Sequence, residues 1–247
     1  MSAWDLYNIR VTNSGSNKYD ASKKREVRLI KNRIKDNLSF FAVNIDGIKQ
    51  EVSIINSDNL NEKDILSMPN ESLKCGSLVE WMSNFWLITE TDANNVLYTK
   101  AKMVQCNYLL KWIDSDGTIN EQWCVVEDGT KYLTGTYEDR SFIVTRGDSR
   151  VAVTLPKNEK TTKLNRESRF LIDDPSSDVM LAYSLTKPLK IGSVYNGEGI
   201  YSFVLQEVAS TDYDNHELGI ADYYKYYPRE GSGNSNDVTN ENEKGWI

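Results

Sequence analysis

The chain has 247 residues, with 36 acidic against 29 basic side chains and a formal charge of −7. That length suits one large or two modest domains with a real core, and the acidic balance argues against broad binding to a phosphate backbone. No stretch approaches the roughly 20 apolar residues of a membrane-spanning helix, and the opening "MSAWDLYNIRVTNSGSNKYD" shows no basic segment followed by an apolar block of the secretory type.

Between Lys18 and Leu38, the residues Val27, Ile30, Ile34 and Leu38 recur at spacings of three and four. That period predicts a helix with one apolar stripe, with Asp20 or Ser22 as its cap. Lys23, Lys24, Arg25, Arg28, Lys31, Arg33 and Lys35 fall within thirteen residues. Two readings stay open. The cations form a solvated face around a stripe docked on the body, or the helix is an arm for an acidic partner surface or nucleic acid, with Arg25, Arg28 and Arg33 as its contact residues.

"FFAVNIDGIKQEVSII" places Asp46-Gly47 between two alternating runs, which predicts a hairpin on a type I′ turn. Asn56 to Lys74 is polar and reads as a connecting loop, with Pro69 ending any helix begun at Lys63. From Gly76 to Tyr137, turn signals at Ser83-Asn84, Asp92–Asn95, Asp116-Gly117 and Asp128-Gly129 separate β-type runs. The longest, "VLYTKAKMVQCNYLLKWI", has the length of two strands or one bent strand. Beyond Tyr137 come "SFIVTR", "RVAVTLP", "RFLIDD", "MLAYSLTKPLKI" and "GIYSFVLQEVA", divided by Gly-Asp, a polar loop at 157–166, Asp-Pro-Ser-Ser and Asn-Gly-Glu-Gly. "YDNHELGIADYYKYY" is a short helix or an extended aromatic segment. A meander of this kind implies small barrels or sandwiches.

The expected class is therefore mainly β: small barrel or sandwich domains of short antiparallel strands, with a charged N-terminal helix and a flexible C-terminal tail. The expected divisions are an arm at 1–37, a first barrel-like domain at 38–137, a second β-rich part at 138–228 and a tail at 229–247, whose Gly, Ser, Asn and Glu content buries too little to order it alone.

Chemistry is sparse. Cys75, Cys106 and Cys124 form no CxxC pair, so free and mostly buried thiols are expected, and neither a zinc site nor another metal site is. The single histidine, His216, lies among Asp212, Asp214 and Glu217; a polar surface loop explains it more simply than a metal site. "DSDGTINEQWCV" begins like a calcium loop but has Val125 where a bidentate Glu is needed. Asp173-Asp174 is explained by the turn at Pro175, and "RGD" at 146–148 by a turn between strands. No nucleophile–base pair or phosphate-cradling glycine loop can be assembled. The expectation is a protein without enzymatic activity or cofactor.

Trp81 and Trp86 pose the sharper question. They flank a turn, so both belong to one hairpin. They either stack a flat ligand such as a sugar in a pocket or fill the interior of a small barrel, where each indole buries roughly 150–250 Å². The alternating pattern favours filling.

The segment "CGSLVEWMSNFWLITETDANNVLYTKAKMVQCNYLLKWIDSDG", with its Gly-x-Leu-Val-x-Trp strand, Trp-Leu-Ile, and Cys-Asn-x-x-Leu-x-Trp ending at Trp112, resembles structural proteins of tailed bacteriophages of Gram-positive hosts, of the head-closure or head–tail connector kind. "RFLIDD" and "AYSLTKPLKI" fit the same layout. The resemblance is most specific over 75–113. It implies a virion protein that forms a homo-oligomeric ring in the neck, bridges portal or adaptor to tail proteins, and lets genomic DNA pass without reading it. It implies no catalytic residues. Trp81, Trp86 and Trp112 are then core or assembly candidates, together with Arg25, Arg28 and Arg33. A tail or baseplate component, a carbohydrate-binding or hydrolytic β-module, and a nucleic-acid binder working through the basic helix are the alternatives.

Overall fold

The computed structural model of the protein describes residues 2–12, 17–92, 94, 97–128, 150–173 and 180–229. It is mostly β. Twelve described strands form two curved antiparallel sheets, preceded by two helices. The expected strands at "KYLTGTY" and "SFIVTR", the Asp-Pro-Ser-Ser turn, the RGD tripeptide, the boundary at 137/138 and the tail after Arg229 lie outside the described residues.

Helix α1 (Ala3–Thr12) has no counterpart in the sequence reading, because its apolar residues Trp4, Leu6, Tyr7 and Ile9 follow no helical stripe. Helix α2 (Lys18–Lys35) packs against it. Its cap is Asn17 rather than Asp20 or Ser22. The Asn17 side chain accepts the Asp20 N–H at 2.9 Å, and Asp20 instead sits in the first turn, where a negative charge favours the helix dipole. Val27, Ile30 and Ile34 are half-buried on one stripe. Leu38 lies past the C-terminus and is exposed. α2 meets the body at its far end, where Lys35 pairs with Glu51 at 3.1 Å and lies over the Phe40 ring.

Six strands then close into a barrel in the order β1-β2-β3-β6-β5-β4: β1 (Phe40–Ile45), β2 (Ile48–Asn56), β3 (Glu62–Ser67), β4 (Leu78–Trp81), β5 (Asn84–Thr91) and β6 (Lys100–Gln105). The β1–β2 turn is Asp46-Gly47, both at positive φ as a type I′ turn requires. Asp46 also ties this turn to β4, its backbone N–H donating to Leu78 O and its carboxylate accepting the Leu78 N–H. Strand β3 lies inside the stretch read as a loop. Only Ile65 and Ser67 of "EKDILS" are buried, so a single large apolar side chain faces inward and no alternation was visible. The β4–β5 turn is Met82-Ser83, at φ 48° and 62°, one residue earlier than expected.

The chain leaves the barrel at Cys106-Asn107 and enters a second sheet of order β10-β11-β12-β9-β8-β7, built from β7 (Tyr108–Ile113), β8 (Ile119–Asp128), β9 (Arg150–Pro156), β10 (Arg169–Ile172), β11 (Leu181–Tyr195) and β12 (Glu198–Val208). The long run from Val96 is thus two strands in different sheets, and β7 and β8, grouped with the first domain from sequence, belong to the second sheet. Strand β8 pairs with β7 through Cys124 and with β9 from Val125 onward. The sheet curls until its end strands meet, with Tyr108 Oη donating to Leu171 O. A short helix α3 (Glu159–Thr162) sits in the polar loop, closed by a capping box between Asn158 and Thr161. "YYKY" forms a helical turn, α4 (Tyr223–Tyr226).

Each sheet has its own core, and a third cluster joins them. Trp86 and Ile88 of β5 face the barrel interior, while Phe85 and Leu87 face the second sheet. Phe85 stacks on Trp123 of β8 at 4.8 Å between centroids. Burial on both faces explains why "FWLI" is continuous rather than alternating. All three cysteines are free. Cys106 and Cys124 are buried, and burial pushes the Cys106 thiol up to about 12.

Candidate functional site

The residues singled out from sequence fall into two groups, and the fold separates them. Trp81 and Trp86 come together inside the barrel. Their ring centroids are 5.7 Å apart, and Phe41 packs edge-on against Trp81 at 5.2 Å. Trp86 is 4% exposed and belongs to the cluster that fills the barrel, with Val43, Ile54, Ile65 and Met103 among its members. The pair therefore forms no open stacking platform. Neither indole N–H has a hydrogen-bond acceptor, although both nitrogens are buried.

Trp112 stands in the core of the second sheet, packed edge-on against Phe170. Its Nε1–H donates to the buried carboxylate of Asp114 at 3.0 Å, which also receives Lys163 Nζ at 3.3 Å. A buried hydrogen bond to a charged group contributes about 1.5–3 kcal/mol, and an unpartnered buried donor costs about 1–3 kcal/mol. The two indoles should thus respond differently to the same change. Trp112→Phe is expected to lower stability by about 3 kcal/mol, combining lost packing with the loss of one of the two donors to a buried carboxylate, which keeps Lys163. Trp86→Phe removes a donor that has no partner, so its cost should stay below about 2 kcal/mol. Urea unfolding of the two variants checks the order, and equal losses would refute it.

Arg25, Arg28 and Arg33 are exposed on α2 and form no ion pair among the described residues. Sequence reasoning missed α1, which adds a second, shorter helix to the arm and with it Trp4 and Tyr7, stacked at 5.5 Å.

A polar centre that no motif announced lies where the segment after β12 folds back on β10. The Arg169 guanidinium donates to both Asp214 oxygens at 3.0 Å, to Asp222 Oδ1 at 2.6 Å, to Thr211 Oγ1 at 3.1 Å and to Ala209 O at 3.1 Å. Asp214 is buried and also accepts the backbone N–H groups of Thr211 and Asp222 at 2.7 and 2.9 Å. Burial, the largest influence on Asp214, pushes its carboxyl up, but those two N–H donors and Arg169 together hold it below the usual carboxylate range. Asp222 takes a left-handed conformation, φ 57°, to bring its N–H into place. Asp222 also receives Lys225 Nζ at 2.9 Å, and with Arg169 committed to these partners the centre fastens the chain.

Beside it, Ser210 Oγ lies 3.1 Å from His216 Nε2 and 3.2 Å from Asp214 Oδ2. In a nucleophilic triad the carboxylate orients the imidazole. Here it touches the serine and is committed to Arg169. No group of three or more potential metal ligands occurs among the described residues, and no described helix is long and apolar enough to cross a membrane.

Residues 17–105 match the model of the YomX N-terminal domain, a phage-associated domain. The matched span runs from the α2 cap, Asn17, to the last residue of β6, Gln105, and so coincides with the basic helix and the closed barrel. α1 and the whole second sheet lie outside it. No curated protein and no solved structure matches the chain.

Proposed function

We propose that the protein is a structural component of a tailed-phage virion, seated at the head–tail junction as a homo-oligomeric ring. One face of the ring meets the portal or an adaptor, the other meets tail proteins, and genomic DNA passes through without being read. The work is mechanical rather than catalytic. The observation that carries this reading is the similarity of one structural unit, basic helix plus barrel, to a phage-associated domain. Two further features support it. The barrel interior is filled with side chains and offers its shape rather than a cavity, and α2 leaves the body attached through its last turn. Closed barrels with a projecting arm suit rings, in which each copy presents the same surface to its neighbour.

Purified particles test the proposal. Quantitative mass spectrometry should find the chain at a ring's worth of copies per particle, and imaging with a label on the chain should place it between head and tail tube. A tail-tip or baseplate label would move it to the alternative position. Absence from the particle, or one copy per particle, would end the structural reading.

A further inference from the structure

The folded body leaves one large surface unused: the outer face of α1 and α2. Trp4, Leu6, Tyr7, Ile9, Tyr19 and Leu29 are each 47–68% exposed. An isolated pair of helices of this length is marginal in water, because most helix stability comes from packing an apolar face. The charge of this arm is also opposite to that of the rest. Residues 1–37 hold nine basic and four acidic side chains, whereas the remaining 210 hold 20 basic and 32 acidic.

A matching surface lies on the barrel. Two adjoining depressions share Glu90 and Lys102: one of about 300 Å³ along β3, β6 and β5, and one of about 250 Å³ between those strands and Val125, Thr154 and Ile200 of the second sheet. Glu62 and Asp64 in them are already paired with Lys102 and Lys100. Glu90 and Asp92 are exposed and have no cationic partner among the described residues. Apolar side chains flank the groove. Ile55 is the cross-strand partner of Asp64 and is 47% exposed, and Leu60, in the turn before Glu62, is 89% exposed. The groove thus offers what the arm lacks: carboxylates for its arginines and apolar surface for its aromatic rings.

We propose that the α1–α2 arm docks in the Glu90/Asp92 groove of a second copy of this chain, with Arg25 and Arg28 meeting the carboxylates and Trp4 and Tyr7 covering Ile55 and Leu60. This rests on the self-association in the ring reading, and is independent of where in the particle the ring sits. An arm that leaves its own body and grips the next copy makes a head-to-tail contact, which closes into a ring when the rotation between copies allows.

Sedimentation of the purified full-length chain over a concentration series tests it. Wild type should self-associate, and do so more weakly as added salt screens the arm. Arg25→Glu with Arg28→Glu should weaken association at least ~10-fold, since several opposed pairs become repulsive. Glu90→Lys with Asp92→Lys should do the same. The chain carrying all four changes should recover to within ~3-fold of wild type, because attraction is restored with its signs exchanged. A monomer at every concentration, association indifferent to either reversal, or a four-fold variant no better than the pairs would overturn the proposal. So would an Arg25→Glu/Arg28→Glu chain that self-associates normally and instead loses retention on duplex DNA, which would make the arm a nucleic-acid contact. Failure to find the chain in particles would remove the neck assignment and leave these solution results standing.

Discussion

Asp214→Ala should destabilise the protein by about 3 kcal/mol, the low end of the usual cost of breaking a buried ion pair, because Arg169 loses its bidentate partner while a second carboxylate remains. Arg169 would keep Asp222, but the N–H groups of Thr211 and Asp222 would lose their acceptor, and the left-handed turn at Asp222 would lose its support. The segment from Ala209 to Arg229 should loosen first, since Arg169 is its polar tie to β10 and only the small Leu171–Ala221 cluster holds it there besides. Hydrogen exchange should show that segment opening before the barrel. The wild-type protein carries the same sensitivity as a function of pH. The folded state holds the Asp214 carboxyl below its unfolded value, near 3.9 for a free aspartate. Its contribution is therefore complete above about pH 5 and is lost as pH falls through the folded value. The Asp214→Ala chain should lack that acid-side loss. A cost below about 1 kcal/mol, or an unchanged pH slope, would show that the network does not fasten the segment.

Gly76→Ala should be as damaging, by a different route. A Cβ at Gly76 would lie 2.1 Å from the carbonyl oxygen of Gly199, in the opposite sheet. Neither atom belongs to a flexible side chain, so the barrel and the second sheet would have to move apart. That separation would strip contacts from the joining cluster of Leu87, Cys106, Val125 and Ile200. It would also displace a carbonyl that accepts the Lys157 N–H. The expected loss is about 3 kcal/mol or more, typical of overpacking joined to an incompatible backbone, and the cooperative unfolding transition should split into two. Gly47→Ala is the control. Gly47 also has positive φ, 83°, but nothing lies within 4 Å of its added Cβ, so only the left-handed backbone cost of about 1–2 kcal/mol applies. Equal losses at the two glycines would refute the close-approach argument.

What the sequence determined alone was whatever a few neighbouring residues decide. Asp46-Gly47 and Asn196-Gly197 accept the positive φ of tight hairpins, and both form them. The three- and four-residue spacing of Val27, Ile30 and Ile34 carries α2. Alternation in "RVAVTLP" and the residues around it carries β9. β3 escaped because its neighbours in the barrel, β2 and β6, supply most of the burial around Ile65, leaving its own pattern almost empty. α1 escaped because its apolar residues are not buried in this chain, so no stripe was selected. The direction each tryptophan takes was decided only by closure. One hairpin register sends Trp86 into the barrel, while another sheet carries Trp112 to Asp114. The pairing of Arg169 with Asp214 spans 45 positions, and the contact of Gly76 with Gly199 spans more than a hundred. Such meetings leave no local mark, because they depend on how two sheets curl and dock. They exist only once the chain has brought distant strands side by side.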